Sequence, residues 1–250
     1  MVNLLPLDEG ERITSILPVE GYEEGHFIFM ATARGIVKKT DMQQFARQRS
    51  VGLRALELEA DDWLVGTAVT DGSCDVMLLS SEGKAVRFQE QAVRAMGRTA
   101  RGVRGIKLGD EHRLISLIVP QADSTILTVS EKGYGKRTDT AEFPCKGRGT
   151  KGVIAMATNA KNGPLVGAVQ VSASDEIMLI SDQGTAVRTR VEEISTLGRN
   201  TQGVRVIKTR DDEKLVRLSR IVEDDGAVPV EDVAESADAP ESEVSAANGE

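Results

Sequence analysis

The chain has 250 residues, with 24 Gly, 7 Pro, 2 Cys and 2 His, and a formal net charge of −8 at pH 7. Cys74 and Cys145 give no disulfide framework and no metal-ligand spacing, no apolar run approaches the ~18 residues that cross a bilayer, and the first residues lack the basic-then-apolar pattern of a secretory signal. The charge is uneven: residues 223–250 hold 10 of the 39 acidic residues and no Lys or Arg, so residues 1–222 balance 31 basic against the remaining 29 acidic residues.

In chain order, Val2-Asn3-Leu4-Leu5-Pro6-Leu7 reads as the final strand of a repeat whose earlier part is missing. An apolar opening follows at Ile13 and recurs at Leu64, Leu114, Leu165 and Leu215, at intervals of 51, 50, 51 and 50. After each of the first four openings come an aliphatic strand (Phe27-Ile28-Phe29-Met30 is the first), a tight turn ending in Gly35, Gly83, Gly133 or Gly184, and a return strand. Glycine at such a turn adopts the positive φ that closes a short hairpin. A longer connection then reaches a second glycine, Gly52, Gly102, Gly152 or Gly203, and a last short strand such as Val103-Arg104-Gly105-Ile106.

Three markers thus keep one period of about 50 residues. The pattern predicts an all-β, propeller-like array with one four-stranded unit per repeat. The four complete repeats are expected at about 12–62, 63–112, 113–163 and 164–213, with partial strands at both ends making 1–222 one domain. Residues 223–250 have the composition of a disordered acidic tail. It reads either as a solubilising segment or as a competitor for a basic face.

Enzyme motifs are missing. Neither GxxxxGK[ST] nor GxGxxG before a helix occurs. Cys145 stands beside Lys146, which would depress its pKa, yet no histidine accompanies it. No catalytic residue, metal ligand or cofactor is assigned to this chain.

The basic residues keep phase with the glycines. Lys39, Arg87, Arg137 and Arg188 lie four positions after the hairpin glycine in all four repeats. Arg98, Arg148 and Arg199 lie four before the second glycine, with Arg47 and Arg49 in the shorter first repeat. Lys38, Arg54, Lys84, Arg101, Arg104, Lys136, Lys151 and Arg205 add to them. Equivalent positions in a blade repeat occupy equivalent surface, so the cations are expected to form a stripe suited to a polymer of repeating negative charge. Few aromatics accompany them. That favours phosphate contacts on duplex DNA, independent of sequence, over stacking on single strands. The competing reading is ordinary charge on exposed strand positions, paired with neighbouring carboxylates.

The loops Met96-Gly97-Arg98-Thr99-Ala100-Arg101-Gly102-Val103-Arg104-Gly105 and Gly198-Arg199-Asn200-Thr201-Gln202-Gly203-Val204, the run Gly133-Tyr134-Gly135-Lys136-Arg137-Thr138 and the opening residues 2–7 carry a family likeness. They make residues 2–222 resemble the C-terminal domain of the A subunit of bacterial DNA gyrase. The resemblance implies a β-pinwheel, a ring of six four-stranded blades that exchange strands, with duplex DNA bent around a positive rim. It implies as partners the rest of the A subunit, together with the B subunit, in an A2B2 complex in the bacterial cytoplasm, at the nucleoid. ATP and Mg are implied for that complex only, where ATP hydrolysis drives negative supercoiling. The family's Q-R-R-G-G-K/R-G heptapeptide is absent; Arg47-Gln48-Arg49-Ser50-Val51-Gly52-Leu53 lies in another blade and lacks paired glycines. The chain therefore reads as a fragment that binds DNA without cleaving it. The related domain of topoisomerase IV and a protein-interaction propeller are the alternatives; the regular glycine and arginine loops favour gyrase.

Overall fold

The computed structural model describes residues 13–47, 52–210 and 212–221. Four hairpins carry the architecture: β1 (Phe27–Thr32) with β2 (Ile36–Asp41), β4 (Asp75–Ser80) with β5 (Lys84–Gln89), β8 (Thr125–Ser130) with β9 (Tyr134–Asp139), and β12 (Glu176–Ser181) with β13 (Ala186–Arg190). At each turn the glycine N–H donates to the carbonyl three residues back, as Gly83 does to Ser80 at 3.0 Å. The longer opening strands are β3 (Leu64–Thr70), β7 (Leu114–Ile118), β11 (Leu165–Val171) and β15 (Leu215–Ile221), and the two-residue last strands are β6 (Val103–Arg104), β10 (Val153–Ile154) and β14 (Val204–Arg205). The sheets run β3-β1-β2-β6, β10-β5-β4-β7, β11-β8-β9-β14 and β13-β12-β15, a propeller-like set of four blades.

The sheet and the sequence repeat are different units. Each hairpin takes both outer strands from the repeat that follows it: β3 and β6 flank the first hairpin, β7 and β10 the second, β11 and β14 the third. The four strands read within one sequence repeat therefore divide between two neighbouring sheets. The fourth sheet has three strands among the described residues. Residues 13–17, expected as a strand, form none. The reason is the same: an opening strand pairs backward, and no hairpin precedes this one among the described residues. The expected strand at residues 2–7, Arg49 and the acidic tail at 223–250 lie outside the described residues.

The cores lie between blades. Phe29, Ala31 and Val37 of the first sheet pack with Val76, Leu78, Val86 and Phe88 of the second, the Phe29 and Phe88 rings 6.4 Å apart. Met77, Leu79 and Ala85 meet Ile126, Phe143 and Ala155 at the next junction. Leu127, Val129 and Val171 meet Ile177, Leu179 and Ile194 at the third. This explains why the inner hairpin strands are unbroken apolar runs, since a strand with a blade on each side buries both faces. The opening strands β3, β7, β11 and β15 succeed one another around a central cavity of about 600 Å³ lined by Leu64, Ile115, Gly167 and Val216.

Gly83 and Gly152 fix one junction from opposite sides. Gly83 has φ +79° and a Cβ there would stand 2.2 Å from the Met156 carbonyl oxygen; Gly152 has φ +77° and a Cβ would stand 2.2 Å from that of Ala85. Gly184 has φ +82° with open space at the same position. Gly184→Ala is expected to cost about 1 kcal/mol through backbone strain alone. Gly83→Ala adds a backbone clash and is expected to cost at least ~1 kcal/mol more. Urea unfolding of the two variants checks this; equal losses would contradict the donated-strand junction.

Candidate nucleic-acid interface

The outer side of each blade is built from the connection between the return strand and the last strand. A short 3-10 turn begins it, at Glu90–Ala92, Thr140–Glu142 or Val191–Glu193. The chain then runs beside the preceding repeat's return strand: Met96, Lys146 and Leu197 donate their N–H groups to the carbonyls of Lys39, Arg87 and Arg137, each at 2.8 Å. Further on, the loops join sideways. Gly149 N–H donates to Gly105 O at 2.6 Å, Lys107 N–H to Thr150 O at 2.8 Å, and Ala157 N–H to Thr201 O at 3.0 Å. The outer loops therefore form one hydrogen-bonded band across the blades.

Three of the phased quartet, Lys39, Arg87 and Arg137, lie under this band. Lys39, Arg87, Arg137 and Arg188 do share one register, opposite Phe29, Met77, Leu127 and Met178. Lys39 is 6% exposed, its ammonium 3.4 Å from the fully buried Glu90 carboxylate and 4.6 Å from the Phe27 ring centroid. Arg87 pairs with Asp75 at 2.8 Å and donates to the Thr140 and Phe143 carbonyls at 3.1 and 3.3 Å. Arg137 donates to the Ile194 carbonyl at 2.7 Å. In each case a return-strand cation grips the 3-10 turn of the following repeat. Arg188 is exposed and pairs with Glu176 of its own hairpin. Lys39, Arg87 and Arg137 are thus corrected from exposed strand positions to inter-blade clamps.

Lys38 and Lys136 are also turned inward. Both are fully buried; Lys38 donates to the carbonyls of Ala55 (2.7 Å) and Arg98, and Lys136 to those of Gly198 (2.5 Å) and Arg199 (2.8 Å). Burial pulls both ammonium groups down to about 8, helped at Lys38 by the nearby Arg98 charge and at Lys136 by Arg199, while Glu142 opposes the shift at Lys136. Two of the three loop arginines brace the band. Arg148 donates to Ala92 O at 2.8 Å and Arg104 O at 3.0 Å, and Arg199 to Ile154 O at 3.0 Å. Arg98, half-buried, carries the carbonyl that Lys38 holds.

Other predicted cations face solvent. Arg104 and Lys151 are exposed and enter no ion pair among the described residues, and Arg47 and Arg54 are exposed in the first repeat. Lys84 is half-buried. Arg101 is exposed and shared between Glu57 and Glu59 at 3.2 and 3.8 Å. Arg205 is exposed but stacks on Tyr134, 5.2 Å from the ring, with a 3.1 Å hydrogen bond to the phenol oxygen. Sequence reasoning missed Lys146, on such a connection, and Lys107 and Lys208, just past β6 and β14, all exposed and without an ion pair among the described residues. Lys107 and Lys208 stand five positions after Gly102 and Gly203, a phase that was available to find them.

The chemistry-bearing side groups elsewhere are already engaged. Burial and the Asp75 charge push the Cys145 thiol up, against the depression expected from Lys146. Asp71, Cys74 and Glu90 hold ligand atoms within 4.8 Å of one another. Asp71, however, accepts from the Ser73 N–H and hydroxyl at 2.8 Å each, and Glu90 from Thr70 at 2.7 Å and the Cys74 N–H at 3.0 Å, besides facing Lys39.

Residues 26–71, 75–121, 124–172 and 175–221 each match the family described as DNA gyrase C-terminal domain, beta-propeller. The chain belongs to that family. Each matched block holds one hairpin and the opening strand that pairs with it, and the last three also hold the short strand, β6, β10 or β14, that completes the preceding sheet. The chain is 56% identical to the DNA gyrase A subunit of Salmonella typhimurium over 232 residues, which is 93% of this chain and 26% of that protein. It is 49% identical to the corresponding Pseudomonas aeruginosa protein over 97% of this chain and 31% of that protein. The chain therefore spans about a quarter to a third of these relatives. A solved gyrase A C-terminal domain superposes with TM-score 0.78 at 27% identity, covering 88% of this chain and 74% of that one. The C-terminal domain of DNA topoisomerase IV gives 0.82 at 26% identity, covering 88% and 69%.

The clamps make stability predictions. Lys39→Gln leaves Glu90 buried without its cation and is expected to cost about 3 kcal/mol. Arg137→Gln is expected to cost about 1–2 kcal/mol through the lost charge-assisted bond. Arg188→Gln, at an exposed side chain paired with Glu176 of its own hairpin, is expected to cost about 0.5 kcal/mol. Urea melts rank the three; an inverted order would contradict the clamp assignment.

Lys136 makes a pH prediction. Its folded pKa of about 8 lies below the ordinary 10.5, so its burial penalty is fully present below pH 8 and is relieved as pH rises from 8 to 10.5. Lys136→Met is expected to remove that part of the rise in stability, measured as the wild-type minus variant difference between pH 7 and pH 10. A pH-independent difference would contradict the buried ammonium.

Proposed function

We propose that this domain binds duplex DNA through its phosphates along the outer band, independent of sequence, and bends it. The reading extends to the whole protein: the domain serves as the DNA-wrapping part of a gyrase A subunit. With the rest of that subunit, and with the B subunit in an A2B2 assembly in the bacterial cytoplasm, it would support ATP-dependent negative supercoiling, with no catalytic group of its own. The observation that carries the reading is the segregation of charge. The clamping cations are spent on the protein's own backbone and carboxylates, while Lys146 and Lys151 on an outer connection, Arg104 on β6, and Lys107 and Lys208 just past β6 and β14 are exposed without a counterion among the described residues. Family membership supports it, and no helix of the described residues is long and apolar enough to cross a membrane.

The energetics are compatible. Smooth bending of 20–30 base pairs by 40–90° costs about 1–6 kcal/mol. A rim offering cations on successive blades offsets that cost through several phosphate contacts, each releasing condensed counterion. The similarity to the topoisomerase IV domain supports the same binding mode on a related assembly; identities of 49–56% to gyrase A subunits favour gyrase.

Replacing Arg104, Lys107, Lys151 and Lys208 together by Gln is expected to reduce the slope of log K against log salt by ~0.9 per residue, roughly 3.5 in all. The loss should be equal on two unrelated linear duplexes, because phosphate contacts carry no sequence information. Stability should shift by only about 0.5 kcal/mol per site. An unchanged slope in the folded variant would contradict the interface.

A further inference from the structure

Positive charge converges on the hydroxyl of Tyr134. This residue opens β9 directly after the turn glycine Gly133 and stands opposite Arg205 of β14. Its ring packs with Met156 and Leu165, and the residue is 6% exposed. The phenol oxygen accepts from the Arg205 guanidinium at 3.1 Å, and the Lys161 ammonium lies 5.5 Å from the ring centroid. Both cations are exposed, and neither has an ion pair among the described residues. The Arg205 hydrogen bond, with the Arg205 and Lys161 charges, holds the phenol below its usual pKa against the opposing effect of desolvation.

Lys161 is placed there by a braced loop. The Lys132 N–H donates to Asn162 O at 3.1 Å, which seats the loop beside the hairpin turn. Asn162 is fully buried: its Oδ1 accepts from the Asn159 N–H at 2.8 Å, and its Nδ2 donates to the carbonyls of Ala157 and Gln202 at 2.8 and 3.3 Å. Asn159 Oδ1 in turn accepts from the Lys161 N–H at 2.8 Å. A backbone already fixed in this way lowers the ordering cost of using the lysine's charge on a ligand.

The arrangement belongs to one repeat. The residue after the hairpin glycine is Ile36, Lys84, Tyr134 or Thr185. Four positions before the openings at Leu64, Leu114, Leu165 and Leu215 stand Ala60, Asp110, Lys161 and Asp211, followed by Asp61, Glu111, Asn162 and Asp212. The third repeat thus carries a cation where the others carry acidic residues. An anion approaching the turn side of the blades is steered to this corner.

Arg205 and Lys161 have N–H donors to spare, and a phenol that accepts from Arg205 keeps its own proton to donate. Donors from two cations and one hydroxyl around a single point suit the oxygens of a phosphoryl group. We propose that Tyr134, Lys161 and Arg205 form a phosphate-binding site on the turn side of the third blade, off the outer band. Two sources supply such a group. One is a backbone phosphate of a bound duplex, in which case the site rests on the function proposed above and fixes the duplex to one blade. The other is a free phosphate ion.

Tyr134 reports on its own site. With Tyr22→Phe in the full chain it is the sole tyrosine, and NMR of the ring carbon bearing the hydroxyl follows its ionisation. The ligands are linear duplex at low salt and, separately, inorganic phosphate against chloride at equal ionic strength. A bound phosphate offsets the two cations and accepts a hydrogen bond from the phenol. Occupancy is therefore expected to raise the Tyr134 pKa by ~1 unit, a ~10-fold drop in its ionisation constant. A rise with the duplex alone assigns the site to a backbone phosphate, and a rise with inorganic phosphate shows that the free ion binds. No rise with either ligand would overturn the proposal. So would a rise that persists in the variant carrying Lys161→Gln and Arg205→Gln, because the general field of the ligand would then be its cause. Duplex binding is scored separately by filter retention; its failure falls on the function reading and leaves inorganic phosphate to decide the site.

Discussion

The structure depends on one constraint: no repeat completes its own sheet. A hairpin such as β4–β5 has two bare edges, and both are filled by strands of the following repeat, β7 inside and β10 outside. Everything at the blade junctions follows from this. The cores around Phe29 and Phe88, around Leu79 and Phe143, and around Val129 and Leu179 each need residues from two sheets. The turn glycines Gly35, Gly83 and Gly133 are crowded by residues of the donated repeat. The return-strand cations are drawn to the donated repeat's 3-10 turn, whose carbonyls point at them. A blade alone would expose half of its hydrophobic contacts and two strand edges, so the repeats stand or fall with their neighbours.

Donation also sorts the charge. Laying the connection of one repeat over the return strand of the last buries whatever that strand carries. Lys38, Lys39 and Lys136 lose water and are compensated by carbonyls or by Glu90. Cations on the covering layer stay in water, and Arg104, Lys107, Lys151 and Lys208 keep their charge available. The buried set cannot meet a phosphate without unpicking the fold; the outer set can do so without moving. The outer layer is continuous because Gly149, Lys107 and Ala157 hydrogen-bond across blade junctions, so its cations sit on a surface with fixed spacing along the band.

The period of the chain, its all-β class and its hairpin turns were legible because glycine at positive φ and unbroken aliphatic strands are local signals. The family could be named from its glycine and arginine loops. Strand donation was not legible from the pattern itself, because an opening strand such as Leu64–Thr70 has the same alternation whether it pairs with the hairpin before it or after it. The phase of Lys39, Arg87 and Arg137 was real, and its cause was misassigned. A repeated cation can answer a repeated phosphate outside or a repeated carbonyl inside. The deciding partners, Glu90 for Lys39 and Ile194 for Arg137, lie 51 and 57 residues away in sequence. The 3-10 turns that supply these partners are three or four residues long and carry no apolar periodicity to reveal them.

The division of the lysines into a buried and an outer set is the central claim, and covalent labelling of lysine amines read by mass spectrometry tests it most directly. The free domain and its complex with linear duplex DNA at low salt would be labelled in parallel. Lys107, Lys146, Lys151 and Lys208 are expected to react readily in the free domain and to be protected by DNA. Lys38, Lys39 and Lys136 are expected to stay unreactive in both. Ready labelling of the second set, or failure of DNA to protect the first, would contradict the account.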